Sequence, residues 1–262
     1  MDQLTTEKQI ISLGPWFDTP AGEYARAWEQ ARLDELTADI FGYNAVQIGL
    51  TQIRGLEASR MPNRWLTNTV WSDNASRQIV LTHDFKELPF ATHSLDLVVL
   101  PHVLEFASEP HQVLREVERV LRPEGQVIIC GFNPASMWGI RQAAGRLTGG
   151  HFLPLHGEFI SVPRLKDWLK LLNMEVNRGH FGCYAPACAT VKWLQRFAFL
   201  EKAGDRWWPY FGALYIVQAI KRVKGMRLIG PAWQTARARA RSAVPATNKM
   251  KQATKEKCYG KS

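Results

Sequence analysis

The chain is poor in cysteine and lacks any long uninterrupted apolar run. Its four cysteines, Cys130, Cys183, Cys188 and Cys258, include no CxxC pair among 262 residues, which argues against a disulfide scaffold and for a reducing compartment. No His or Cys spacing matches a zinc pattern, so the thiols read as structural and no metal is expected. The nearest approach to a membrane span, Trp207 to Ile220, is interrupted by Pro209 and Gly212 and falls short of the ~20 residues that a bilayer core requires. The amino terminus, Met1 to Trp16, lacks a basic region followed by an apolar stretch, so no signal peptide is expected. No repeat or low-complexity linker interrupts the chain before residue 231. These absences lead to the expectation of a soluble, cytoplasmic protein without a membrane span. With 46% apolar and 22% charged residues, the chain is long enough to close one sizeable core.

Acidic residues are almost missing from the carboxyl terminus. From Pro231 to Ser262 there are eight Lys or Arg against Glu256 alone, so this stretch holds seven of the nine net positive charges. Rich in Ala, Thr, Lys and Arg and without apolar periodicity, it is expected to be a disordered tail. It is either a solvated appendage or a weak electrostatic contact for nucleic acid and other anionic surfaces. The expected organisation is a helical segment over 1–41, an α/β domain over 42–230 and the basic tail over 231–262.

Periodicity places the elements. Ala21 to Ile40 carries Tyr24, Trp28, Ala31, Leu36 and Ile40 at helical spacing. Ala45 to Leu50 predicts a buried strand, followed by a short polar, partly helical stretch, a strand over Arg64 to Trp71 and another over Gln78 to Thr82. Ser94 to Leu100 has the unbroken β-forming character of a strand covered on both faces. Pro110 to Leu121 predicts a helix with Pro110 at its start and Val113, Leu114, Val117, Val120 and Leu121 on one face. A turn over Arg122 to Gly125 and a strand over Gln126 to Cys130 complete a βαβ crossover. Gly131 to Ser161 is expected to be irregular. A helix over Val162 to Leu172 and strands over Met174 to Phe181 and Gly212 to Lys221 follow. The aromatic insertion between those strands, Tyr184 to Tyr210, either wraps a substrate or forms a helix packed on the sheet edge, and the core-face spacing of Trp193, Phe197 and Leu200 favours the helix.

Five short motifs stand in order between residues 84 and 125: Asp84-Phe85-Lys86-Glu87-Leu88-Pro89-Phe90, Ser94-Leu95-Asp96-Leu97-Val98-Val99, His102-Val103-Leu104-Glu105, Leu114-Arg115-Glu116-Val117 and Arg119-Val120-Leu121-Arg122-Pro123-Glu124-Gly125. Together they resemble the class I S-adenosylmethionine-dependent methyltransferases. The likeness is to the small-molecule group with a type 11 methyltransferase domain, which includes quinone-biosynthesis C-methyltransferases, and it spans Ala45 to Val223. The resemblance implies a Rossmann-like three-layer α/β sandwich with a mostly parallel seven-stranded sheet and an antiparallel last strand. It also implies S-adenosylmethionine as cofactor, with Asp84 accepting the adenine amino group, the backbone of Phe85 against the ring, and Gln47, Gly49, Glu57, Leu100 and His102 as further contacts. Ligands in open parallel sheets bind beyond the strands' carboxyl ends at the switch point. Read on its own, Asp84 equally suits a cap on the turn into Leu88-Pro89, and His102 either faces the site or is a hydrogen-bonded loop histidine.

The chain departs from the family pattern at the first strand's exit. Where the resemblance implies an acid and a glycine-rich turn, the chain has Gln47-Ile48-Gly49-Leu50-Thr51-Gln52-Ile53, and side chains at Thr51 and Ile53 remove the freedom that glycine supplies. Glu57 follows Gln47 by only ten residues, and Asp73 ends the second predicted strand; either is a candidate ribose acid. Methyl transfer to a small or medium-sized substrate would need no nucleophile or metal, with His102 and Glu105 as candidate bases and Asn133 as a candidate substrate contact. The absence of an Asn/Asp-Pro-Pro-Tyr run argues against N-methylation of bases. The alternative is a catalytically inactive relative that keeps the fold as a binding or scaffolding module.

Overall fold

The computed structural model describes residues 13–68, 79–82, 85–148, 153, 158–186, 196–197 and 199–222. Thr19 begins the first long helix, α1 (Pro20–Ala38): its hydroxyl oxygen accepts from Gly22 N–H at 3.2 Å and Pro20 follows at the first turn, where a missing N–H goes unused. Ala25, Glu29 and Leu33 recur at four-residue intervals along the buried stripe of this helix.

The sheet holds β1 (Asn44–Ile48), β2 (Asn63–Asn68), β3 (Ile79–Thr82), β4 (Leu95–Pro101), β5 (Leu121–Phe132), β6 (Met174–Gly182) and β7 (Leu214–Lys221), in the order β3-β2-β1-β4-β5-β7-β6. Pairing is parallel from β3 to β5, whereas β7 is antiparallel to both of its neighbours. Chain order reverses between β1 and β4, which defines the switch point. Leu97, Val98, Val99 and Leu100 are all buried, so successive side chains meet cover on both faces and the sheet is the middle layer of three. The outer layers draw on α1, α2 (Val103–Phe106), α3 (Pro110–Val120), α4 (Met137–Thr148), α5 (Val162–Leu171) and α6 (Phe199–Trp207). A 3-10 turn, Pro209–Phe211, follows α6.

Several motif residues prove to be struts. Asp96 Oδ2 accepts the N–H groups of Tyr43 and Asn44 at 2.8 and 2.9 Å, tying β4 to the start of β1, and Arg122 approaches its other oxygen at 3.2 Å. The Arg119 guanidinium spans Glu116 and the carbonyls of Leu88 and Phe90, fixing the loop before β4 onto α3. Lys221, 5% exposed, donates to the carbonyls of Glu118 and Leu121 and pairs with the Glu118 carboxylate, supplying donors to the end of α3.

The structure differs from the sequence expectations in four places. Residues 50–62, expected to be partly helical, contain no helix, so β1 and β2 are joined by turns alone. The stretch expected to be irregular contains α4, for which Ser136 was the unused sign: its hydroxyl oxygen accepts from Gly139 N–H at 3.0 Å, as a helix-capping serine does. The turn over residues 122–125 lies within β5, where Glu124 adopts φ 65°. In the aromatic insertion, α6 and the 3-10 turn leave Trp207 and Trp208 exposed, while Trp193 lies outside the described residues. Residues through Val223 belong to one compact unit, and its core includes Leu13 and Phe17 of the amino-terminal segment; the tail lies outside the described residues.

Candidate functional site

The site sits where β1 and β4 release the chain at the switch point. Gly49 follows β1 with φ +78° and donates to Thr67 O of β2 at 2.8 Å. A Cβ at this glycine would stand 2.9 Å from Val103 Cγ2 of α2 and 3.7 Å from Phe85 Cζ. The turn therefore demands glycine twice, by its backbone and by the approach of Val103. Gly49→Ala is expected to cost about 1–3 kcal/mol, visible as a lower urea midpoint; an unchanged midpoint would mean that the turn relaxes without strain.

Gln47, one residue before the end of β1, is buried and wholly occupied with the connection it precedes. Its amide Nε2 donates to Leu50 O at 2.8 Å and Ile53 O at 2.6 Å, and its Oε1 accepts from Gly55 N–H at 2.8 Å. Two carbonyls and one N–H need a group that both donates and accepts, which a carboxylate cannot provide. Leu50 and Ile53 turn inward at 3% and 1% exposure, and Thr51 is half-buried. Over this loop lies the amino-terminal segment, with Gly14 so near Gln52 that a Cβ would stand 2.5 Å from its amide nitrogen.

At the end of β4, His102 takes φ 54° and ψ 18° and is fully buried. Its Nε2 lies 2.7 Å from Glu29 Oε1 of α1 and its Nδ1 2.9 Å from Glu105 Oε2. Burial alone pushes the imidazole down, but the paired charges of Glu29 and Glu105 raise it to about 10, so at neutral pH it is an imidazolium donating to both carboxylates. Burial pushes the Glu105 carboxyl up, and its other oxygen accepts Phe132 N–H. Glu29 Oε2 is buried without a hydrogen-bond partner. The rings of Phe17 and Phe132 close over His102 at centroid distances of 6.0 and 4.4 Å.

The residues singled out from sequence thus separate. Gln47, Gly49, Phe85 and His102 gather around the exits of β1 and β4, and Leu100 lies fully buried within β4. Glu57 does not join them: its side chain is 60% exposed beside Arg54, and its carbonyl accepts from Arg64, in the first half of β2. Asn133 is spent internally, donating to the carbonyls of Tyr210 and Gly212 at 2.8 and 3.0 Å, and so is not a free substrate contact. His102 and Glu105, read as candidate bases, are sealed from solvent. Asp84 and Asp73 lie outside the described residues. Sequence reading missed Glu29, although an acid at the midpoint of the Ala25–Leu33 stripe was its sign. Cys130 and Cys183 are buried thiols that burial pushes well above their usual range. No group of three or more metal-ligating side chains occurs among the described residues, and no helix among them is long and apolar enough to cross a membrane.

Known proteins similar to this chain include methyltransferases. The model of the methyltransferase domain matches residues 42–129. The uncharacterized protein YafS of Escherichia coli K12 is 29% identical over 246 residues, 92% of this chain and 95% of the relative. A demethylmenaquinone methyltransferase of Bacillus velezensis is 40% identical over 95 residues, 36% of this chain and 40% of the relative. Among solved structures, the fold is shared with a Haloferax volcanii methyltransferase in complex with its Trm112 activator, at TM-score 0.54 and 14% identity over 82% of this chain and 98% of that one. A Thermotoga maritima methyltransferase superposes at TM-score 0.53 and 15% identity, over 76% and 95%. The strand order, the glycine turn at the switch point and the motif series between residues 84 and 125 agree with these matches: residues 42–129 match the methyltransferase domain, and the fold is the one seen in solved methyltransferases.

Proposed function

We propose that the protein transfers a methyl group from S-adenosylmethionine to a small or medium-sized acceptor. The observation that carries this reading is Gly49, which keeps its positive φ at the exit of β1, where the fold places its ligand, although the glycines that resemblance led us to expect after it are absent. In this reading the Gly49 backbone lines the donor's amino-acid portion, the buried Phe85 walls off the adenine, and Asp84 beside it receives the adenine amino group. Phe85 and Asp84 suit the uncharged adenosine half of the donor. At the other half Gln47 offers no free group, so the donor's ammonium must rely on backbone carbonyls. When bound, S-adenosylmethionine supplies a methyl already made electrophilic by its sulfonium. What remains for the chain is to hold two reactants in line, an effect worth ~7–11 kcal/mol. His102 and Glu105 act as positioning residues, bracing the β4 exit. A small-molecule acceptor agrees with the demethylmenaquinone methyltransferases among the relatives.

A second reading, a binding or scaffolding module without catalysis, is favoured by one observation, the complete internal use of the Gln47 amide. Calorimetric titration of S-adenosylhomocysteine into the full chain separates the two. Methyl transfer requires saturable heat with micromolar affinity, and its absence at millimolar ligand would leave only the module.

A further inference from the structure

Four large aromatic side chains stand in solvent within five residues: Trp207 is 69% exposed, Trp208 55%, Tyr210 72% and Phe211 59%. Their backbone is firmly held. Trp208 N–H donates to Gly204 O, Phe211 N–H to Trp208 O, and the carbonyls of Tyr210 and Gly212 are pinned by Asn133. Such anchoring fixes the backbone that carries these rings. The turn precedes β7, whose first residue, Leu214, pairs with Phe132 at the end of β5. The aromatic surface therefore lies at the same end of the sheet as Gly49 and His102. Met137 and Ile140 of α4, which begins just after Asn133, are also exposed, at 50% and 63%.

We infer that this surface seats on an anionic lipid bilayer, with the rings of residues 207–211 in the headgroup layer. The ring types fit that occupant: Trp and Tyr combine an apolar body with a polar tip and favour the membrane–water interface. Charge fits it too. Arg141, Arg196 and Arg206 are exposed, and residues 137–148 and 196–211 hold five Lys or Arg against two acids. Apolar anchors combined with cations make a two-part attachment, in which each part strengthens the other.

Sedimentation of the full chain with vesicles tests this directly, comparing phosphatidylcholine alone with phosphatidylcholine containing one third phosphatidylglycerol. The expected result is binding to the anionic vesicles with a blue shift of tryptophan emission. The W207S/W208S/Y210S/F211S variant should bind at least about tenfold more weakly, since it removes the apolar surface that the rings would withdraw from water. Quenching of wild-type tryptophan emission by brominated lipid should follow, and it needs no variant. The inference is overturned if the wild type does not sediment, if brominated lipid leaves its emission unchanged, or if a folded variant binds as tightly as the wild type. It is equally overturned if ultracentrifugation shows the four residues joining two copies of the chain that ignore vesicles.

Discussion

Replacing His102 by alanine is expected to lower stability by about 3–5 kcal/mol, because it removes the cation that stands between two buried carboxylates. The imidazolium is the donor shared by Glu29 and Glu105, and both acids are buried. Wild-type stability should also depend on pH in a window set by this group. The folded-state value, about 10, lies above the ordinary 6.5, so the folded protein keeps a proton that the unfolded chain releases. The stabilisation is complete below ~6.5 and is lost as pH rises toward 10, at up to ~1.4 kcal/mol per pH unit. Urea midpoints measured from pH 6 to 10 should fall for the wild type and fall much less for the alanine variant. Parallel curves would show that the histidine is neutral in the folded state.

Gln47→Glu, which restores the acid that the family resemblance leads one to expect, should destabilise the chain by at least ~3 kcal/mol at pH 7. The substitution deprives the Leu50 and Ile53 carbonyls of their donor, at ~1–3 kcal/mol for each buried unpaired group, and places a charge at a buried position. Chemical denaturation at pH 7 measures the loss. Wild-type stability in the variant would mean that the 50–55 connection is held by something other than this amide.

Much of the architecture was legible because parallel strands covered on both faces write themselves as unbroken β-forming runs. Leu95 to Leu100 and the apolar face of α3 were such cases, and the motif series around them located the switch point. The site was less legible because its key partners are distant in the chain. Glu29 meets His102 across 73 residues, and nothing near His102 foretells that it is enclosed rather than displayed. Gln47 misled differently. Beside the expected acid it looks like erosion, yet its contacts are local and demand an amide. Ser136 and the helix it begins were missed for want of apolar periodicity, since α4 exposes Met137 and Ile140. Asp96, Arg119 and Glu116, which a motif reading treats as a family signature, earn their places by holding the backbone.

The segment ahead of β1 has a consequence for where this protein can be divided. Recognisable homology to the methyltransferase domain starts at residue 42, but Phe17, which closes over His102, and Glu29, which pairs with it, both come earlier. A polypeptide begun at the homology boundary would carry a histidine stripped of one counter-ion and an interior laid open to solvent. The stretch that matches the methyltransferase domain is thus smaller than the compact unit, and the difference includes a helix that no motif marks.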